Sequence, residues 1–328
     1  MIPASPPVAF LAWTPVGGRS ADIAEAMGGV AWCDYDERRR GWRTAERYLR
    51  SAVRQAVWLA RHRPASVIAT NPPIFCGLVA FAYARLARAP FVLDSHPSAF
   101  GYKASRQGRV TQPIHRQLVR RSNAVLVTTE KPARTVSAWG GRPLLVHEPP
   151  ARLEIRTRPP RRRPLFSFIN TFASDEPTAE VVEAARLVPE VDVAITGRIS
   201  RAPRELLDAP PDNVEFVGWL DAAGYEDLLV RSTAVVSLTT EPTSVMRSAY
   251  EAVYAGRPLV LTDTEVLREL FPDAVFTRND PDALAHAVRD VLDRQRELDA
   301  LAPGARRRQQ ERWDAQLRAL GQALELGH

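Results

Sequence analysis

Residues 237–263 read SLTTEPTSVMRSAYEAVYAGRPLVLTD, and this stretch decides the fold class. It starts as an apolar strand, continues through a polar loop into a helix that contains Ser248 and Glu251, and ends at a Gly-Arg-Pro turn before a second apolar strand. A strand, a helix and a strand in this order form a βαβ unit of a parallel sheet. The segment therefore predicts an α/β protein.

The same alternation extends outward through most of the chain. Apolar runs of strand length alternate with segments of helical periodicity, which is typical of parallel sheets covered by helices on both faces. The sequence predicts six strands in each half, at 8–13, 30–33, 66–70, 91–94, 124–128 and 144–147, and at 165–169, 191–196, 214–217, 234–238, 259–262 and 274–276.

One segment interrupts this pattern and marks a domain boundary. Residues 153–164 are rich in proline and arginine and have no apolar period, so they are predicted to be an exposed linker. We expect one Rossmann-like domain at 1–152, a second at 165–300, and a helix at 301–328, amphipathic after Pro303-Gly304, that packs across both. Two such domains are expected to face each other across a ligand cleft at the carboxyl ends of their sheets.

Composition excludes several protein classes. The chain has 328 residues, 45% hydrophobic and 25% charged, as in globular proteins and unlike disordered, collagenous or membrane-embedded ones. Its two cysteines cannot form a disulfide framework or a thiolate zinc site. The sequence shows neither a secretory signal nor an apolar run long enough for a membrane span. We therefore expect a cytoplasmic protein, with attachment to the inner face of the plasma membrane as an option.

Charge is distributed unevenly along the chain. Residues 1–150 have a balance of +12, whereas residues 151–328 have a balance of −6, so the first half is expected to face an anionic partner. A basic run in the first half is compatible with a solvated helix face or with an anionic membrane surface. Nucleic acid is not expected as a partner, because no reader motif accompanies the charge. The run consists of Arg38, Arg39, Arg40, Arg43, Arg47, Arg50 and Arg54.

The helix start within residues 237–263 suits a diphosphate. Its first backbone N–H groups lack helical acceptors and lie at the positive end of the helix dipole. Glu251, about one turn further along, is positioned to accept hydrogen bonds from ribose hydroxyls. The segment 251–260, EAVYAGRPLV, resembles the Glu-Ala-Met-Ala-Xaa-Gly-Xaa-Pro-Val-Val element of retaining GT-B glycosyltransferases of the group 1 type, glycosyltransferase family 4. Further similarity lies at 172–177, 183–185, 195–198 and 213–220, and more loosely at 14–18, 70–73 and 94–96.

The resemblance implies a hexosyltransferase that moves a sugar from a nucleotide-sugar donor to an acceptor hydroxyl. It implies retention of anomeric configuration, and we expect no metal or other cofactor. The basic first half suggests a lipid-linked or polysaccharide acceptor at a membrane, with a soluble acceptor such as a natural-product aglycone as the alternative. Two alternatives remain, a non-catalytic GT-B-like protein that binds a sugar nucleotide or a partner protein, and a sugar-nucleotide epimerase. The donor side chains implied are Glu251, Arg247, Ser248, Thr243, Ser244, Glu241 and Arg198, with Gly197 beside them.

Two positions depart from the family pattern. The family often carries a second glutamate eight positions before the one matched by Glu251, and Thr243 stands there, with Glu241 two residues earlier. The usual arginine and lysine beside the diphosphate are missing from residues 170–183, so Arg198 or Arg247 is the candidate replacement.

The first domain is expected to hold the acceptor. By the same resemblance, Gly17 and Gly18 form a loop that contacts donor and acceptor, with Arg19 opening the next helix, although a plain tight turn is an equal alternative. His96 is the candidate for contact with the reacting sugar and Asp94 for orienting it. A hydrogen-bonded structural histidine is the alternative.

Metal binding is not expected. Residues 34–36 spell Asp-Tyr-Asp, the metal motif of another glycosyltransferase fold, but they run into a charged segment and are better interpreted as a turn. The six histidines show no ligand spacing.

Overall fold

A computed structural model describes residues 5–14, 18–35, 43–100, 106–153 and 155–325. The chain divides into two compact units, unit 1 with residues 1–149 and 312–328, and unit 2 with residues 150–311. Each unit contains a six-stranded, all-parallel sheet with helices on both faces. The predicted class, α/β with two Rossmann-like domains, is confirmed.

Unit 1 has the strand order β2-β1-β3-β4-β5-β6. Its strands are β1 (Val8–Ala12), β2 (Val30–Cys33), β3 (Ser66–Asn71), β4 (Phe91–Ser95), β5 (Ala124–Val127) and β6 (Pro143–Leu145). Its helices are α1 (Arg19–Ala26), α2 (Arg43–His62), α3 (Ile74–Ala87), α4 (Arg106–Arg121) and α5 (Glu130–Ala138).

Continuously apolar strands explain why the unit 1 sheet is covered on both faces. Along β1, Ala9 and Leu11 belong to a core shared with α2 to α5. Val8 and Phe10 point the other way and pack with α1 and the final helix of the chain. Because side chains alternate along a strand, a continuous apolar run buries both faces of a parallel sheet.

Unit 2 has the strand order β12-β11-β10-β7-β8-β9. Its strands are β7 (Leu165–Phe168), β8 (Asp192–Thr196), β9 (Val214–Gly218), β10 (Ala234–Ser237), β11 (Leu259–Thr262) and β12 (Val275–Thr277). The helices are α6 (Thr178–Leu187), α7 (Arg204–Asp208), α8 (Ala222–Arg231), α9 (Arg247–Tyr254), α10 (Glu265–Leu270), α11 (Pro281–Asp293) and α12 (Gln295–Glu325), whose last part belongs to unit 1.

Several elements differ from the sequence-based expectation. α12 begins at Gln295, ahead of the expected start, and continues through Pro303. Pro303 removes one helical hydrogen bond, but apolar and polar groups on both sides of it are buried, including Leu298 in the unit 2 core and Gln309 Nε2, which donates to Leu270 O at 2.7 Å. α7 has no predicted counterpart.

The segment expected as an exposed linker contacts unit 2 at several points, and Arg158 is the least exposed of its ion-paired arginines. Arg158 lies half-buried in unit 2, where its Nε donates to Ser232 O at 2.8 Å and a terminal nitrogen pairs with Asp299 at 2.9 Å. Neighbouring residues of the segment are exposed. The absence of an apolar period therefore predicted the irregular backbone but not these contacts.

None of the helices in the described part of the chain combines the length and the hydropathy that a membrane span requires.

Candidate functional site

The strand order of each sheet reverses direction at one point, where ligands of open α/β sheets bind beyond the carboxyl ends of the strands. In unit 1 this point lies between β1 and β3, and in unit 2 between β7 and β10. The predicted donor loop, residues 238–246, follows β10, and the predicted sugar-contact residue, His96, follows β4. Both predicted segments therefore lie at the carboxyl edge of their own sheet.

The loops after β7 and β10 are joined by hydrogen bonds through Asp175. Thr240 N donates to Asp175 O at 2.7 Å, and Thr239 Oγ1 donates to Asp175 Oδ2 at 3.1 Å. On the other side, Asn279 Nδ2 donates to Thr239 O at 2.9 Å. The first residues of the β10–α9 loop are thus held from both neighbouring loops.

α9 begins directly after this loop. The first N–H groups of any helix have no acceptor within the helix. In α9, Met246 precedes the first turn and makes no side-chain cap. The buried Ser248 Oγ lies 2.6 Å from Ser237 Oγ, which ties the first turn of α9 to the end of β10. Ser248 therefore acts as a structural tie, while the backbone around it presents the positive end of the helix dipole.

Glu251 is held between two side chains. Tyr225 Oη donates to Glu251 Oε2 at 2.6 Å, and Arg247 Nε donates to Oε1 at 2.9 Å. Burial, and secondarily the nearby carboxylate, raises the pKa of Tyr225, so the phenol stays protonated as a donor. Each carboxylate oxygen can accept a second hydrogen bond, and the Glu251 side chain is 18% exposed. The carboxylate is thus oriented by the protein and still able to accept hydrogen bonds from hydroxyl groups.

The loop residues Glu241, Thr243 and Ser244 are all half-buried. Ser244 N donates to Glu241 O at 3.0 Å, which closes a turn, and Glu241 N donates to Thr239 Oγ1 at 3.1 Å. The structure places these residues in the loop that leads into α9.

Gly197 directly follows β8 in a conformation that requires glycine. Its φ is +123°, and a Cβ there would lie 2.7 Å from Phe172 Cε2. Next to it, the guanidinium of Arg198 lies 5.4 Å from the ring centroid of Trp219, whose side chain is exposed. The predicted donor residues Gly197 and Arg198 therefore lie at the carboxyl end of β8, and Arg198 is stacked on an aromatic ring.

Arg19 in unit 1 contacts several groups of its own chain. It donates to His147 O at 2.6 Å and to Val146 O at 2.7 Å, and it lies 3.5 Å from Asp94 and 3.6 Å from Glu148. Only 14% of the side chain is exposed. Arg19 thus ties the start of α1 to the ends of β4 and β6, a role that the sequence analysis did not assign to it.

The expected pairing of Asp94 with His96 is corrected by these contacts. Asp94 Oδ1 faces Arg19, and the imidazole Nδ1 of the exposed His96 lies 3.4 Å from Ser98 Oγ. The backbone N–H of His96 donates to Asn71 O at 2.8 Å, which places the residue beside the end of β3. Successive side chains of β4 point to opposite faces of the sheet, and the Asp94 carboxylate lies next to the Arg19 guanidinium.

The glycine loop and the Asp-Tyr-Asp segment are described only in part. Gly18 caps α1 with φ +66° and is exposed, whereas Gly17 lies outside the described residues. Asp34 pairs with Arg54 at 3.2 Å, and Asp36 lies outside the described residues. Within the described ranges, no three His, Cys, Asp or Glu side chains are grouped so as to hold a metal ion.

Sequence reasoning missed two residues that organise this region, Tyr225 and Asp175. Tyr225 lies 26 positions before Glu251, and Asp175 lies 64 positions before Thr239. No local pattern connects residues so far apart, although an aromatic hydroxyl in the first turn of a helix after a strand is a usable signal.

Comparisons with known proteins agree with this architecture. A family profile described as a glycosyl transferase 4-like domain matches residues 7–150, and one described as glycosyl transferase-like matches residues 175–322. No curated protein sequence gives a significant match.

Solved structures match over nearly the whole chain. Alr3699/HepE from Anabaena, in complex with UDP-glucose, has a TM-score of 0.74 at 14% identity and covers 97% of this chain and 99% of its own. Sucrose-phosphate synthase (tll1590) from Thermosynechococcus elongatus has a TM-score of 0.72 at 15% identity, with 96% and 97% covered. A glycosyltransferase from Rickettsia africae ESF-5 has a TM-score of 0.71 at 12% identity, with 98% of each chain covered. At these identities the likeness establishes the fold.

Proposed function

The chain belongs to the group 1 type of GT-B glycosyltransferases, and from that premise we propose that it transfers a hexosyl group from a nucleotide-sugar donor to an acceptor hydroxyl. We further propose that the reaction proceeds with retention and without a bound metal. The observation that carries the proposal is the oriented carboxylate of Glu251 beside the start of α9. The Anabaena protein solved with UDP-glucose supports a nucleotide sugar as the class of donor.

Unit 2 binds the donor in this proposal. Glu251 accepts the ribose hydroxyls through the lone pairs that Tyr225 and Arg247 leave available. The first N–H groups of α9 hydrogen-bond the diphosphate. Tyr225 is a positioning residue, because its hydroxyl holds the carboxylate and does not itself contact the donor.

Arginine supplies the positive charge that stabilises the departing diphosphate. Residues 150–328 contain no lysine, so the lysine that the family usually places there has no direct replacement. Arg247 and Arg198 are the candidates, since a guanidinium binds phosphate oxygens through two parallel donors. Fixed donors aimed at the charge that develops in the transition state lower the barrier without a metal.

Retention follows from attack on the face from which the diphosphate departs. Thr243 occupies the position of the family's second glutamate, and a threonine hydroxyl at that position is a poor nucleophile without an adjacent base. We therefore assign no covalent glycosyl intermediate to this loop. The acceptor hydroxyl attacks as the diphosphate leaves, and a diphosphate oxygen accepts its proton.

Unit 1 binds the acceptor, a lipid-linked sugar or a growing polysaccharide, in this proposal. The exposed His96 at the end of β4 contacts the reacting sugar. Arg19 and Asp94 support that edge of the sheet through their contact with each other. The acceptor class is supported by the basic balance of residues 1–150.

The test compares Glu251→Gln, Tyr225→Phe and the exposed control Glu265→Gln. UDP-, GDP-, ADP- and TDP-sugars are first screened by thermal shift, since a ligand of the native state raises the melting temperature, and the best donor is then titrated by calorimetry. Loss of a hydrogen bond to a charged group costs about 1.5–3 kcal/mol, so Glu251→Gln weakens binding roughly tenfold or more. Tyr225→Phe weakens it less, and Glu265→Gln leaves it unchanged. Unchanged affinity in Glu251→Gln would remove the proposed donor site.

A second candidate is a non-catalytic protein that binds a sugar nucleotide. It is favoured by Thr243 in place of the second glutamate and by the lack of lysine in residues 150–328. Release of nucleoside diphosphate from the best donor, with and without glycan acceptors, separates the candidates. Release that requires an acceptor supports the transferase, binding without release supports the non-catalytic protein, and conversion of the donor sugar without acceptor supports an epimerase.

A further inference from the structure

The solvent face of α2 carries an exposed aliphatic stripe. Leu49, Val53 and Val57 are 66%, 55% and 61% exposed. They follow one another at intervals of four residues, so they lie in line along one face of the helix. Contiguous exposed apolar side chains of this kind mark interaction surfaces.

The opposite face of α2 is fixed in unit 1. Gln55 is fully buried, accepts a hydrogen bond from Trp13 Nε1 at 2.7 Å and donates to Cys76 O at 3.1 Å. Leu59 lies one turn further along and is buried in the core. Turning the helix to cover the aliphatic stripe would break both hydrogen bonds, so the stripe stays directed outward.

A basic row runs beside the aliphatic stripe. Arg50, Arg54 and Arg61 are exposed, and each lies on the same side of the helix, about 100° around from the stripe. Arg50 pairs with Glu46 at 2.5 Å, and Arg54 pairs with Asp34 at 3.2 Å. Glu46 is the single acidic residue among the 20 of α2, which also contains five arginines.

We propose that this face of α2 docks onto a membrane surface that carries anionic lipid headgroups. The aliphatic stripe enters the boundary between headgroups and acyl chains, while the basic row binds lipid phosphates. An apolar stripe and a basic row together form the two-part signal that interfacial helices need for stable binding.

The charges of the helix favour lipid over a second copy of the chain. If two α2 helices paired through this face, their two basic rows would lie close together and repel each other. Each helix offers only Glu46 as an acidic residue, and Glu46 already pairs with Arg50. An anionic bilayer offers a negative partner to every arginine of the row. The proposal extends the proposed function, in which the acceptor is lipid-linked, and rests on that function for its biological role. Its measurement needs neither donor nor acceptor.

The experiment is sedimentation of the full chain with vesicles of phosphatidylcholine and roughly one-third phosphatidylglycerol, at low and at high salt. We expect the protein to sediment at low salt and to be released at high salt. Each arginine near an anionic surface contributes roughly fivefold to binding, so Arg50→Gln/Arg54→Gln/Arg61→Gln weakens binding by about a hundredfold. Leu49→Ser/Val53→Ser/Val57→Ser weakens it by at least roughly tenfold.

A matched control removes the same charge elsewhere on unit 1. Arg85, Arg116 and Arg134 are exposed and lie on other helices, so their combined change to glutamine is expected to reduce binding much less. Circular dichroism and thermal melting verify that every variant is folded. An equal loss in this control, or full binding by the stripe variant, would overturn the proposal.

Light scattering tests the competing occupant. A wild-type dimer that the serine substitutions convert to monomer would assign the aliphatic stripe to a second copy and overturn the lipid proposal. Donor titration on the same samples keeps the two proposals apart. Vesicle binding without donor binding contradicts the proposed function alone, and the reverse result contradicts only the membrane surface.

Discussion

Replacing Arg19 with methionine removes the guanidinium that joins α1 to the ends of β4 and β6. Two backbone oxygens, of His147 and Val146, lose a charged donor, and the carboxylates of Asp94 and Glu148 lose their nearby cation. Hydrogen bonds to charged groups contribute about 1.5–3 kcal/mol each, and breaking a buried ion pair costs about 3–5 kcal/mol. These effects overlap, so we expect unit 1 to lose about 3–5 kcal/mol.

Tryptophan fluorescence in urea measures this loss in unit 1 alone. Six of the seven tryptophans belong to unit 1, and Trp219 is the one in unit 2. In a Trp219→Phe background the fluorescence transition therefore follows unit 1, which avoids treating two units as one two-state system. The exposed Arg134→Met serves as control and is expected to stay within about 0.5 kcal/mol of the parent.

The lysine variant separates charge from geometry. Arg19→Lys keeps the positive charge but loses the planar fork that reaches two carbonyl oxygens together, so it is expected to recover only part of the stability. A loss below about 1 kcal/mol in Arg19→Met would refute the structural role. Arg19 would then return to the ligand-contact role that the sequence suggested.

Two further predictions concern backbone strain and pH. Gly197→Ala places a Cβ against the Phe172 ring at positive φ and is expected to cost unit 2 at least about 2 kcal/mol, whereas Gly304→Ala within α12 is expected to be neutral or stabilising by up to about 1 kcal/mol. Circular dichroism in urea measures both, and equal effects would contradict the steric argument. Burial lowers the pKa of His115 to about 4 and, together with nearby arginines, that of His147 to about 3. The unfolded chain takes up these protons below about pH 6.5 and the folded chain does not, so unit 1 loses roughly 1.4 kcal/mol per histidine and pH unit as the pH falls toward 4. The urea midpoint of a His115→Gln/His147→Gln variant should fall less steeply over that range, and an unchanged slope would show that these imidazoles are not responsible.

The element pattern was predictable because it depends on neighbours in the chain. Apolar runs and helical periods located the twelve strands of the described residues to within a few positions, and the change from strand to loop placed the residues after β10 and β4 at the carboxyl edges of their sheets. The start of α12 was misplaced, because Pro303 is a strong local stop signal that buried residues on both sides of it override.

Side-chain partners were not predictable in the same way. Glu251 was identified as an acceptor of hydrogen bonds, yet the tyrosine that orients it lies on α8. Asp94 was expected to orient His96, and it faces Arg19. In both cases the partner of the carboxylate is a donor on another helix, and the packing of that helix places the donor within hydrogen-bonding distance.

By itself, the sequence determined two parallel sheets with helices on both faces, because continuous apolar runs separated by helical periods are local properties that such a sheet buries. Only the tertiary structure decided which polar groups are used up inside the protein, as Arg19 is, and which keep hydrogen-bonding capacity, as Glu251 does. The physical reason is that the deciding contacts join distant residues, Tyr225 to Glu251 across 26 positions and Arg19 to His147 across 128. Their distances follow from how whole helices and strands pack, and no local period encodes that packing.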